Sequence, residues 1–169
     1  MAGLVVLAGL PGVGKSTLAR ALAARIGALW LRIDAIEQAL RESHMQVAGD
    51  LADGGYAAAR AVAGAALGQG FDVVADSVNP APVTRGPWRE TARGAGADLC
   101  EVELICADKA IHRARVERRG AEVPGLALPD WAAVCRRAYH PHPDADLRLD
   151  SAVLGVDEMV ARIVARLGP

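Results

Sequence analysis

Short apolar runs alternate with amphipathic stretches along almost the whole chain. Leu4-Val5-Val6-Leu7-Ala8 is uninterrupted by any polar residue, the pattern of a strand buried on both faces. After it, Leu18, Leu22 and Ile26 recur at helical spacing. The same alternation predicts a strand over residues 29–33, helices over 35–42 and 56–67, a strand over 71–75 stopping at Asp76, and a helix over 83–93. A strand over 99–106 and a charged helix over 110–119 follow, then a Gly/Pro loop over 120–129. A helix over 131–139, a short strand over 147–149 and a terminal helix over 156–167 complete the pattern. Strands separated by helices need crossover connections. The expected fold is therefore α/β, a three-layer sandwich with a parallel five-stranded sheet and helices on both faces. Ligands in such folds gather at the carboxyl ends of strands, here residues 9–17, Asp34, Asp76 and Asn79.

One of those strand ends carries a motif. Gly9-Leu10-Pro11-Gly12-Val13-Gly14-Lys15-Ser16-Thr17 fits G-x-x-x-x-G-K-[ST], between an apolar strand and a helix. Glycines let the backbone close around phosphate oxygens, and successive N–H groups with the helix dipole attract the anion. In that arrangement Lys15 reaches the β and γ phosphates and Ser16 holds Mg²⁺, so the chain is expected to bind ATP.

Composition narrows the partners. At 169 residues the chain is expected to form one domain with a sizeable core. The net charge of -1 gives no general attraction to nucleic acid or anionic membranes, and Lys15 and Lys109 are the only lysines. Cys100, Cys106 and Cys135 are odd in number and lack C-x-x-C spacing, which points to neither a disulfide framework nor a zinc site. Cys100 and Cys106 are expected on one side of a strand, as buried, inert thiols. No basic segment precedes the first apolar run, and no run approaches a membrane span, so a cytoplasmic location is expected.

With these residues in view the chain resembles the small P-loop kinases, a group that includes gluconate kinase, shikimate kinase, adenylylsulfate kinase, chloramphenicol phosphotransferase and the kinase domain of polynucleotide kinase. The resemblance rests on residues 9–17, on Asp34 after the second strand, on Asp76-Ser77-Val78-Asn79 after the third, and on Arg115-Val116-Glu117-Arg118-Arg119 before a loop. It implies transfer of the γ-phosphoryl group of ATP to a hydroxyl of a small-molecule acceptor. It also implies a catalytic or acceptor-binding role for Asp34, a Mg²⁺- and substrate-side role for Asp76, and a mobile lid over residues 113–130. Arg119 is expected to reach the transferred phosphoryl group from that lid, and Arg115 to contact the nucleotide.

Each candidate has a plainer reading. Asp34 could cap the helix expected to begin at residue 35, and Asp76 could be a strand-end turn residue. Asn79, before Pro80, is a turn former as well as a candidate acceptor contact. Arg85, with Arg89, could bind an anionic acceptor group or simply face solvent. His112, His140 and His142 read as surface, core or loop residues rather than ligands. Two other functions are open: a polynucleotide 5′-kinase-like enzyme, against which the charge balance argues, and a nucleotide-binding regulatory ATPase. An Asn-Lys-x-Asp guanine motif is absent; Asp108 precedes Lys109 with no Asn before it. A monomer or homodimer is expected.

Overall fold

The structure is a computed structural model that describes residues 2–43 and 52–168. Its first element, β1 (Gly3–Ala8), runs into the glycine loop and then α1 (Lys15–Ile26). Next come β2 (Leu29–Arg32), α2 (Ile33–Glu42), α3 (Gly54–Gly68), β3 (Val73–Asp76) and α4 (Pro82–Ala95). The second half holds β4 (Asp98–Ile105), α5 (Lys109–Arg118), α6 (Trp131–Arg136), β5 (Leu147–Asp150) and α7 (Val156–Leu167).

All strand pairs are parallel, in the order β2-β3-β1-β4-β5. The expected sandwich is therefore the observed one. Alternation along β1 divides the core in two. Val5 and Leu7 face α1 and α7 with Leu18, Leu22, Met159 and Ile163, while Leu4 and Val6 face α3 and α4 with Ala63, Leu67 and Trp88. Being covered on both sides is why β1 reads as one unbroken apolar run. The chain goes from β1 to β2 on one side of the sheet and from β3 to β4 across it, so the strand order reverses at β1. A crevice opens at that switch point.

Several boundaries differ from the sequence expectation for local reasons. Phe71, over half exposed, stays outside β3, and the Asp72 side chain instead accepts the Gly3 N–H at 2.7 Å. α6 stops at Arg136 instead of continuing to 139, because residues from Tyr139 onward are bound to other elements. Cys106 lies one residue past β4, half-buried, with its Sγ near the Asp108 carbonyl, and Cys135 is exposed on α6. Of the two cysteines expected to be buried, Cys100 and Cys106, only Cys100 is, and burial pushes its thiol up to about 12. Among the described residues no helix is long and apolar enough to cross a membrane.

Candidate active site

The glycine loop takes its shape from left-handed backbone that side chains resist. Gly9, Gly12 and Gly14 have φ of 146°, 85° and 100°, and a Cβ on Gly9 would collide with the Leu104 carbonyl. Gly9 N–H donates to Val78 O at 3.0 Å, which ties the loop to the end of β3. On the other side His112 of α5 is buried, and its Nε2 donates to Pro11 O at 2.8 Å. A Cβ on Gly12 would run into Val116 of the same helix. His112 thus supports the loop from behind, a role that nothing in its local sequence announces.

Lys15 begins α1 and is only 8% exposed. Its Nζ donates to Leu10 O at 2.9 Å, curling the side chain back over the loop. Burial lowers its pKa from 10.5 to about 8, while Asp76 and Asp34 work in the opposite direction. Asp76, at the end of β3, is 4% exposed and receives Trp30 Nε1–H at 3.4 Å. Burial raises the Asp76 pKa; Lys15, the Ser16 hydroxyl and Arg32 oppose that shift. A buried carboxylate beside a serine hydroxyl at a phosphate loop is an oxygen donor set that suits Mg²⁺.

These groups line one cavity of about 1320 Å³. Residues 11–17, Asp34, Asp76, Arg115 and Arg119 all contribute to its wall. Gly9 and Leu10 sit behind that wall and act through their backbone. Asp34 does not cap its helix: α2 begins one residue earlier, at Ile33, and the carboxylate makes no capping bond. It instead lies in the first turn, where the helix dipole favours a negative charge. Residues 34, 37, 38 and 41 share the cavity-lining face of α2.

Two expected acceptor contacts are elsewhere. Asn79 is fully buried at φ 44°; its Nδ2 donates to Leu7 O at 2.8 Å and its Oδ1 accepts Trp88 Nε1–H at 3.3 Å. Arg85 is 3% exposed and spends its donors on backbone carbonyls. Neither lines the cavity, because the loop after β3 turns away from it once past Val78. Arg89 pairs with the buried Glu101 at 2.8 Å, also away from the cavity.

The arginines divide the cavity between them. Arg115 donates to Ser151 Oγ at 2.8 Å and Ser151 O at 3.0 Å, fixing its guanidinium at the end lined by Ile111, Leu154, Val156 and Met159. That apolar end suits a nucleobase. Arg119, the first residue after α5, donates to Pro129 O at 3.2 Å, and its buried Nε has no partner among the described residues. Burial lowers its pKa, opposed by Asp34. Arg137, just after α6 and not singled out by the sequence, is also on the cavity wall and within electrostatic reach of Arg119. The loop between α5 and α6 lies over α2: Glu122 pairs with Arg32 at 2.8 Å, and Gly125 (φ 74°) packs against Gln38 and Glu42.

Strand order, phosphate loop and cavity together define a P-loop nucleotide-binding fold of the kinase type. The profile of the AAA domain family AAA_33 matches residues 4–138, and the chain belongs to that family. No curated protein matches the sequence. Among solved structures, the fold is similar to the Mycobacterium tuberculosis APS kinase CysC bound to AMPPNP and APS (TM-score 0.74, 20% identity, covering 99% of this chain and 98% of that one). It is also similar to a Sinorhizobium meliloti gluconokinase (TM-score 0.64, 22% identity, 98% and 91%). Chaetomium thermophilum Kti12 bound to ADP-AlF3 is a third (TM-score 0.72, 21% identity, 98% and 100%). At these identities the likeness is one of fold.

A pH dependence follows from Lys15. With a pKa of about 8 in the free protein, its ammonium is present below that pH and lost above it. Phosphates favour the charged form, so nucleotide affinity is expected to be flat from about pH 7 to 8. Above that it should fall by up to about tenfold per unit. Calorimetric titration with an ATP analogue across this range checks it; affinity that stays level to about pH 9.5 removes Lys15 from the phosphates.

Proposed function

We propose that the chain is an ATP-dependent phosphotransferase that moves the γ-phosphoryl group of ATP to a hydroxyl of a small-molecule acceptor. The observation that carries this is the cavity. At about 1320 Å³ it exceeds the ~300–1,000 Å³ of a single-ligand site, and Asp34 lies within electrostatic reach of both Lys15 and Arg119. One end fits ATP, and the other, along α2 and beneath the 119–130 loop, fits an acceptor. The loop N–H groups, Lys15 and Arg115 hold the nucleotide. Ser16 and Asp76 would hold Mg²⁺, which supplies charge neutralisation on the phosphates when bound.

Asp34 faces the acceptor and accepts or orients its hydroxyl proton. Arg119 and Arg137 bring guanidinium donors to the charge that develops on the transferred oxygens. A hydroxyl-compound panel scored for acceptor-dependent ADP release tests the assignment. Release that no acceptor stimulates would favour a regulatory ATPase. The protein is placed in the cytoplasm on the same reading.

Of the lid expected over residues 113–130, residues 113–118 belong to α5, and the 119–130 loop is proposed as the lid. Its ion pair to the start of α2, Glu122 with Arg32 at the end of β2, is half exposed on the glutamate side, which is a weak hold. Arg119→Ala should depress turnover about 10²–10³-fold while ATP affinity changes little, since the guanidinium acts on developing charge. Hydrogen exchange over residues 119–130 should slow when an ATP analogue and acceptor are both present. Equal protection with and without them makes the segment a fixed loop.

A further inference from the structure

Among the described residues outside the cavity, Arg85 is a heavily committed polar side chain. Its Nε donates to Asn79 O at 2.8 Å, one terminal nitrogen to Pro141 O at 3.0 Å, and the other to His140 O. The guanidinium also lies over the Tyr139 ring, 5.3 Å from its centre. A buried cation met by carbonyl dipoles and a ring face is costly to desolvate. Apolar packing would hold α4 against the sheet at lower cost, so the guanidinium has a more specific effect.

That effect is to join two segments that border the cavity. On one side is the loop after β3, which begins just past Asp76 and is held in place: Asn79 donates its N–H to Tyr56 Oη at 3.1 Å and its side-chain amide to Leu7 O. On the other is the turn after α6. Its His140 N–H donates to Pro80 O at 2.8 Å, and Glu103 Oε1 accepts both the Tyr139 hydroxyl at 3.0 Å and the His142 N–H at 3.1 Å. Arg137 lies two residues before Tyr139. Its own element gives it little support: α6 is six residues long, and Arg137 is bound to it only through its N–H and Val134 O at 3.3 Å. The start of α6 is held separately, by Trp131 edge-on to His112 at 5.1 Å, and His112 in turn bonds the glycine loop.

We infer that Arg85 is a positioning residue for Arg137, fixing the turn that carries this arginine relative to Asp76 and the phosphate loop. The inference rests on the phosphotransfer reading. Both residues come from segments far apart in sequence, and only a planar fork with donors on three sides reaches Asn79, His140 and Pro141 at once. A lysine ammonium is a compact donor that cannot span them. Displacing a guanidinium by about 1 Å from developing charge can cost on the order of 10²-fold.

The acceptor is not needed for the test, because ADP with magnesium and aluminium fluoride reproduces the planar transferring group. Three quantities are measured: affinity for ADP alone, the gain in affinity when aluminium fluoride is added, and Tm. Arg137→Ala should reduce the gain about tenfold or more and leave ADP affinity within about threefold. Arg85→Lys should reduce the gain to a similar extent. In the double variant the gain should fall no further than in Arg137→Ala, while the Tm losses add.

A merely structural Arg85 would lower Tm without moving the gain, or its effect would multiply with that of Arg137→Ala; either result overturns the inference. If Arg85→Lys does not fold, Pro141→Gly loosens the same turn while keeping the buried guanidinium, and the same non-additivity with Arg137→Ala is expected. A wild-type protein that binds ADP but gains nothing from aluminium fluoride overturns the phosphotransfer reading and this inference together. A normal gain that is indifferent to both arginines overturns the inference alone.

Discussion

Lys15→Met is expected to lower phosphoryl transfer by at least about 10³-fold while making the nucleotide-free protein more resistant to heat. The two effects have one source. Burial holds the Lys15 pKa at about 8 against 10.5 in water, so the folded protein resists the charged form. The sign is that of a depressed lysine: below pH 8 the cost of the buried ammonium is present in full, and it is relieved as pH rises from about 8 to 10.5. Methionine fills a similar volume without charge. It should therefore remove a penalty of roughly 1–3 kcal/mol and raise Tm by a few degrees in a domain of this size. Saturating ATP analogue should reverse the order, because only wild type gains the phosphate contact. Calorimetry of both proteins with and without nucleotide, beside a turnover assay, is the check. Near wild-type turnover in Lys15→Met, or a lowered Tm without ligand, would each contradict it.

Asp34→Asn should lower turnover by about 10²–10⁴-fold and leave ATP affinity within about threefold. On the proposed reading the carboxylate faces the acceptor, so it would act on the hydroxyl and not on nucleotide binding. The amide keeps the shape and loses the negative charge, which tests proton handling more than packing. A second readout goes with it. Asp34 supports the protonated forms of Lys15 and Arg119, so without its charge the pH at which nucleotide affinity begins to fall should move down. Since α2 begins at Ile33 and the carboxylate caps nothing, Tm should shift little. Full turnover with a large loss of Tm would make Asp34 a structural residue.

The β1–glycine loop–α1 unit could be read from the sequence because each of its requirements is local. An unbroken apolar run needs cover on both faces, Gly9, Gly12 and Gly14 meet positive φ, and Leu18 and Leu22 recur at helical spacing. The five parallel strands were legible for a similar reason, since burial pattern and turn residues lie within each segment. Asp76 could be placed because it ends a strand, and Asp34 because it follows one closely, in the first turn of α2; strand ends are where this fold opens.

Other parts depended on contacts between distant segments. Asn79 and Arg85 looked like acceptor contacts from their place after the third strand. Their positions are set instead by Leu7, Trp88, His140 and Pro141, residues 9 to 72 positions away for Asn79 and 55 or 56 for Arg85. The end of α6 at Arg136 follows from bonds to Glu103 and Pro80 that no window around it contains. His112 at Pro11 and Arg137 on the cavity wall have no local pattern at all. The sequence alone determined the layers, the phosphate loop and the strand ends, because period and backbone conformation are written in neighbouring residues. Only the tertiary structure decided which polar side chains face the cavity and which brace it, because a polar group's role follows from the partner it meets, and here those partners come from across the chain.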